Sequence, residues 1–332
     1  MNKPKRELPG EFTEKLKNLV PAPHWSKVLK SFSQEKPCTF RVNALKLASS
    51  SLKERLEPLG FKVENVLWYR DAFLLRKGEQ KDLEKTPFYK NGEIYVQGLS
   101  SMIPPLVLDP RPGDRVLDLT AAPGSKTTQM AALMKGQGSV TANDNNPIRV
   151  EKLKANAALQ GASNVEVLPA GDGGLVWKER FEAFDKVLLD APCSSEGRFL
   201  VEVPSTYGYW REDTNRKMAK DQRRLFKSAF LALKPGGTMV YSTCTFAPEE
   251  NEMVLQWALE TYGDALKLEK ISMPLPAMTG GLARWGDLNF DPQVLSSLRV
   301  LPNQDMEGFF VAKLTKLKSV EAPEPFVPSS KN

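Results

Sequence analysis

Val116-Leu117-Asp118-Leu119-Thr120-Ala121-Ala122-Pro123-Gly124-Ser125-Lys126-Thr127 is the stretch on which the fold turns. A short apolar run reads as a buried strand. Small residues and a Pro-Gly pair then make a tight turn, and Ser-Lys-Thr opens a helix. Downstream, strands at 139–142, 165–169, 186–189, 238–241 and 308–314 alternate with helices at 126–134, 147–160, 215–233 and 248–261. That alternation predicts an α/β fold with a doubly wound, mostly parallel sheet. Upstream the texture differs. Residues 11–19 read as a helix stopped by Pro21 and Pro23, 39–45 as a strand, 51–59 as a helix ended by Gly60, 61–69 as a strand and 80–92 as a polar loop. The expected organisation is therefore a small basic α+β module over residues 1–95, a main domain over 96–318 and a Pro/Ser-rich disordered tail over 319–332.

Composition narrows the function classes. No apolar run reaches the roughly 18 residues of a membrane span, and no apolar signal core follows the basic start, so a cytoplasmic protein without membrane partners is expected. Three cysteines in 332 residues form no disulfide framework, and their spacing is not that of zinc ligands. The single histidine, His24, argues against a Ser-His-Asp triad and a His-rich metal site; no metal is expected. Residues 1–95 hold 19 Lys+Arg against 12 Asp+Glu, whereas the remainder holds 27 against 28. All the excess positive charge of this +6 chain thus lies in the first segment, as expected of a surface that meets phosphate backbones.

The 116–127 loop suits a ligand: small residues admit it to the backbone, and the helix start offers free N–H groups. It is not a P-loop, because Thr120 occupies the first glycine position and Ser125 precedes Lys126; nor is it a G-x-G-x-x-G loop. Acidic residues follow successive strands: Asp144 for ribose hydroxyls, Asp172 for an adenine amino group, and Asp190. A cofactor with a ribose, an adenine and a positive charge fits this series, which makes S-adenosylmethionine the expected cofactor; polyphosphates would be repelled.

Two cysteine motifs close strands of the same sheet: Asp190-Ala191-Pro192-Cys193-Ser194-Ser195 and Tyr241-Ser242-Thr243-Cys244-Thr245. Carboxyl ends of parallel strands are where open α/β sheets bind ligands. Two thiols beside a carboxylate suit nucleophilic attack on an activated ring.

With Phe40-Arg41-Val42-Asn43, Val96-Gln97-Gly98-Leu99-Ser100-Ser101, Pro248-Glu249-Glu250-Asn251-Glu252 and Glu307-Gly308-Phe309-Phe310, these motifs resemble the RsmB/NOP/Sun family of RNA (cytosine-C5) methyltransferases over about residues 40–314. The resemblance implies a class I, Rossmann-like methyltransferase domain preceded by an RNA-recognition-like module. It implies Cys244 as nucleophile, Cys193 as the residue assisting product release, and Asp190 as a third catalytic group that reaches N3 or N4 of the base. It assigns the cofactor to Thr120, Ala121, Ala122, Pro123, Gly124, Ser125, Lys126, Asp144, Arg149, Asp172 and Asp190. Chemistry makes the same demand, since C5 of cytosine becomes nucleophilic only after a thiolate adds at C6. The target base must be looped or flipped out.

RNA, as tRNA or rRNA, is the expected partner of a monomeric enzyme. Arg216, Lys220, Arg223 and Lys227 share one helix face that suits it. Phe199, after Cys193, either lines the base pocket or joins the core. No long added domain at either end is expected from this sequence, which leaves the RNA class open. Two other functions stay open at this point: a cytosine-C5 methyltransferase that uses Cys193 as nucleophile, and a catalytically silent methyltransferase-fold RNA-binding or ribosome-assembly factor.

Overall fold

A computed structural model describes residues 6–322 of the chain; residues 323–332, most of the tail expected to be disordered, lie outside the described residues. Two helices, α1 (Gly10–Leu19) and α2 (Trp25–Ser31), come first. Four strands follow, β1 (Thr39–Val42), β2 (Lys62–Val66), β3 (Tyr69–Lys77) and β4 (Ile94–Val96), with α3 (Leu52–Leu56) after β1 and two single-turn helices, α4 (Gln80–Leu83) and α5 (Pro87–Lys90), before β4. These strands form one antiparallel sheet in the order β2-β3-β1-β4, the topology of a split βαβ unit.

Both faces of this sheet are covered. Phe40, Val42, Phe73, Leu75 and Ile94 pack on Leu52, Leu56, Leu83 and Phe88 of the helices. Tyr69, Ala72 and Leu74 join Leu99, Met102 and Ile103 of α6 (Leu99–Leu108), the first helix of the main domain. Arg41 crosses that boundary wholly buried, donating from Nε to Gln97 Oε1 at 2.8 Å and from Nη2 to Thr128 Oγ1 at 2.7 Å. Helices α1 and α2 do not join the sheet. Phe12, Leu16 and Phe32 pack instead on Phe199, Trp210 and Phe246 of the main domain, with Phe12 and Phe199 ring centroids 4.9 Å apart.

The main domain alternates β5 (Arg115–Asp118), α7 (Ser125–Leu133), β6 (Ser139–Ala142), α8 (Pro147–Gln160), β7 (Val165–Val167), β8 (Phe184–Asp190), α9 (Glu212–Ala232), β9 (Leu233–Thr243) and α10 (Glu252–Tyr262). Local chemistry sets the ends of these elements. Helix α8 opens on Pro147, is capped by the Asn146 side chain accepting from Arg149 N–H, and stops at Gly161 in the left-handed conformation. The strands pair in parallel in the order β7-β6-β5-β8-β9, so their carboxyl ends share one edge. The remaining strands are β10 (Leu266–Glu269), β11 (Met278–Gly280), the β12–β13 hairpin (Arg284–Trp285 and Leu288–Asn289), β14 (Leu298–Val300) and β15 (Phe309–Lys316). Strand β15 pairs antiparallel with β9, and β10, β14 and β11 extend the sheet from it. Among the described residues, no helix is long and apolar enough to cross a membrane.

The doubly wound parallel core matches expectation, but half of the sheet's pairings are antiparallel. Of the added strands only β15 is readable from sequence; β11 and β14 have three residues each, too few to show a period. Residues 61–69 hold a hairpin rather than one strand, since β3 begins at Tyr69. Residues 80–92 are not a plain loop. Leu83 and Phe88 anchor α4 and α5 to the sheet while their charged neighbours face solvent.

One buried ion pair ties α10 to the antiparallel half. Arg299 donates from Nε to Glu252 Oε1 at 2.6 Å and from Nη1 to the Phe246 carbonyl at 3.0 Å, with Glu252 fully buried. Removing one member of such a pair strands the other charge, so Arg299→Ala should lower unfolding free energy by about 3–5 kcal/mol, measured by urea denaturation.

Candidate active site

The carboxyl ends of β5, β6, β8 and β9 surround a cleft of about 320 Å³. One half is acidic, formed by Thr120, Ala122, Asp144, Arg149 and Asp172; the other holds Asp190, Cys193, Ser195, Arg198 and Cys244. A second hollow of about 330 Å³ shares Asn143 and Asp172 with the acidic half and runs on along residues 168–180.

The 119–125 turn is held by Ala121 N–H donating to Asn143 O at 2.7 Å and by Gly124 in the left-handed region, where a side chain would meet Leu153. Asp144 is buried, and its Oδ2 accepts from Ala122 N–H at 3.1 Å and lies 3.4 Å from Arg149 Nη1. Arg149 also donates to the Ala122 carbonyl. Asp172 accepts from Arg224 Nη1 at 2.7 Å and from Gly174 N–H; although burial opposes it, these partners hold its carboxyl below the usual range. Thr120 donates from Oγ1 to Asp190 O at 2.8 Å. Beneath the turn, Asp118 accepts from Thr127 Oγ1 at 2.7 Å, and burial pushes its carboxyl up to about 7.

In the reacting half, Asp190 accepts from Ser242 Oγ at 2.7 Å and pairs with Lys126 Nζ at 2.8 Å. The Lys126 ammonium also donates to Ser101 Oγ, so this otherwise buried lysine is satisfied from two sides. The Cys193 and Cys244 sulfurs lie 3.3 Å apart, and Cys244 Sγ is 3.5 Å from Ser195 Oγ. Donation to Cys244 and then burial raise the Cys193 thiol well above its ordinary value. Cys244 is held below its own value by that same hydrogen bond and, against burial, by Ser195 and the charge of Arg198. Of the two thiols, Cys244 is thus the readier to lose its proton and Cys193 the readier to donate one.

The Pro-Cys segment is braced from behind. Glu250 Oε2 accepts from Ser194 N–H at 3.0 Å and from Gln222 Nε2 at 2.8 Å, while Gln222 also donates to the Pro192 carbonyl. Glu196, fully buried, accepts from Trp210 Nε1 and Asn215 Nδ2 and from Phe246 N–H. Gly197 has no room for a Cβ, which would lie 2.2 Å from the Gly308 carbonyl.

Of the residues picked from sequence, Thr120, Ala122, Asp144, Arg149, Asp172, Asp190, Cys193 and Cys244 line the cleft. Ala121, Pro123, Gly124 and Ser125 build its turn without lining it, and Lys126 acts through Asp190. Phe199 belongs to the core. On α9, Arg216, Lys220 and Lys227 are exposed, while Arg223 lies half-buried over the Trp257 ring. Ser195 and Arg198, in the 195–199 segment expected from sequence at the base pocket, do line the cleft, whereas sequence reading missed Asn143, the pairing of Arg224 with Asp172, and the bracing by Gln222 and Glu250. For Gln222 a signal exists: it interrupts the apolar stripe Ala219, Phe226, Ala229 of α9 with a buried polar group.

Residues 105–315 match the family described as 16S rRNA methyltransferase RsmB/F, and residues 8–98 match the N-terminal domain of 16S rRNA methyltransferase RsmF. The chain belongs to the RsmB/F methyltransferase family. Ribosomal RNA small subunit methyltransferase F of Shewanella oneidensis is 41% identical over 85% of this chain and 58% of its own length. The protein of the same name from Vibrio campbellii is 39% identical over 96% of this chain and 65% of its own. The chain thus spans about three-fifths of the length of these RsmF relatives. Among solved structures, a methyltransferase homolog protein from Pyrococcus horikoshii is 32% identical, with a TM-score of 0.77 over 93% of this chain and all of that one.

Burial raises the Glu250 carboxyl to about 7 as it does Asp118. Both therefore favour the folded state most below their unfolded values near 4, and this stabilisation is lost as pH rises through about 7. Unfolding free energy should fall between pH 4.5 and 7, and Glu250→Gln, which stays neutral, should flatten part of that fall in urea titrations across the range.

Proposed function

We propose that this chain transfers a methyl group from S-adenosylmethionine to C5 of a cytosine in small-subunit rRNA, through a covalent adduct between Cys244 and C6. The approach of Cys193 and Cys244 to 3.3 Å at the mouth of one cleft carries this reading, because a redundant second thiol has no use in a silent RNA binder. The family and the names of its relatives favour rRNA over tRNA. The donor set fits the cofactor: Asp144 lines the cleft where ribose hydroxyls would sit, and Asp172 with the 168–176 hollow suits an adenine. Bound there, S-adenosylmethionine would supply an electrophilic methyl on a positively charged sulfur.

The chain's own residues do the rest. Asp190, held by Lys126 and Ser242, accepts from the N4 amino group of the base and holds the ring with the face of C6 toward Cys244. The Cys244 thiolate adds to C6, and the electron pair displaced toward C5 makes that carbon the nucleophile toward the methyl group. Transfer of the C5 proton to solvent then restores the C5–C6 double bond and expels Cys244, with the Cys193 thiol, 3.3 Å away, within reach to protonate the departing sulfur. The lowered Cys244 and raised Cys193 thiols favour this division of labour over the reverse.

Mixing S-adenosylmethionine and small-subunit rRNA with the wild type, Cys244→Ala and Cys193→Ala tests the assignment. Cys244→Ala should lose methyl transfer by about 10³-fold or more and form no denaturation-resistant protein–RNA adduct, while Cys193→Ala should accumulate it. If the two variants exchange these outcomes, Cys193 is the nucleophile. If neither is impaired, thiol chemistry is wrong.

A further inference from the structure

A groove of about 740 Å³ opens between α2, the β2–β3 turn and the segment before β15. Its floor is apolar: Val66, Leu74, Leu99 and Met306, with Pro276 and a half-buried Trp68 at the sides. One rim is cationic, formed by Lys27 and Lys30 of α2, both exposed and without an ion-pair partner among the described residues. Its two acids, Glu64 and Asp305, are both engaged by Arg76, at 2.8 Å each. Leu67, at the tip of the β2–β3 turn, is wholly exposed.

This groove adjoins the reaction cleft. Arg198 lines the cleft beside Cys244 and lies 3.6 Å from Glu307, whose neighbours Asp305 and Met306 line the groove. A strand with one base in the cleft would thus meet the groove as it passes Arg198 and Glu307. Flat apolar walls with an aromatic side chain and a one-sided row of ammonium groups are what a single strand needs: faces for its bases and charges for its phosphates. A mainly apolar protein segment would leave Lys27 and Lys30 without a use. The four-stranded sheet offers no such platform, since both its faces are buried.

We propose that this groove holds the single-stranded RNA flanking the target cytosine, with Trp68 stacking on a base and Lys27 and Lys30 meeting phosphates. The proposal rests on the RNA-methyltransferase reading above and locates the RNA within it. Binding of a fluorescent 12-nucleotide single-stranded RNA with one central cytosine should be measured across a salt series for the wild type, Lys27→Glu/Lys30→Glu and Trp68→Ala. The charge variant should bind at least tenfold more weakly, with a log K against log salt slope shallower by about 1.4, as two lost phosphate contacts on a single strand require. Trp68→Ala should weaken binding about fivefold or more at unchanged slope. The charge variant alters only exposed side chains, so a folding defect in Trp68→Ala leaves the test standing. If the wild type binds and methylates RNA but the charge variant keeps its affinity and slope, the groove is not the RNA path, and a protein segment becomes its occupant. If the wild type neither binds nor methylates RNA, the underlying reading fails as well.

Discussion

The site depends on the side-by-side register of β8 and β9, in which Asp190 stands opposite Ser242. Once those backbones are paired, three residues of loop carry Cys193 and two carry Cys244 to the same edge, and the Ser242 hydroxyl meets the Asp190 carboxylate. A slip of one residue would turn the side chains of either strand to the opposite face of the sheet. The residues behind the edge, Leu188, Leu189, Val240 and Tyr241, are buried, so the register is fixed by the sheet interior and the two cysteines follow within three residues of it.

Polar groups behind the edge keep it rigid. Glu250 and Gln222 grip the Pro-Cys segment, Glu196 grips the turn after it, and the Arg299–Glu252 pair holds the backbone at Phe246 just beyond Cys244. Each is a desolvated network whose members are useful only together, and each joins elements far apart in sequence. The acidic half of the cleft in front is the reverse: Asp144 and Asp172 are answered by the half-exposed Arg149 and Arg224, which water screens and with which a ligand can compete. Rigidity on one side and exchangeable pairing on the other is the arrangement expected where a fixed nucleophile must meet a mobile substrate.

Much of this was legible beforehand because local signals were strong. The strand–turn–helix at 116–127, the helix at 147–160 and the two cysteine motifs announce themselves through turn residues and apolar periods, and a doubly wound, mostly parallel sheet follows from the alternation. What escaped reading lacked local signals. Strands β11 and β14 are too short, and the hairpin at β2–β3 turns without a Gly or Pro between its strands. Glu250 looks like an ordinary loop acid until the fold brings it to the Ser194 amide and Gln222. Lys126 sits in the 116–127 turn by sequence, and no spacing announces that its side chain reaches Asp190.

The packing of α1 and α2 has a consequence for how the chain becomes a protein. Phe12 and Phe32 find their partners at Phe199, Trp210 and Phe246, nearly two hundred residues later. On a ribosome that apolar surface emerges first and waits, while the four-stranded unit, whose strands close over short separations, condenses ahead of it. The opening helices therefore act as a late latch: their docking depends on Phe246, two residues past Cys244, so the latch closes only after the second thiol's strand is in place.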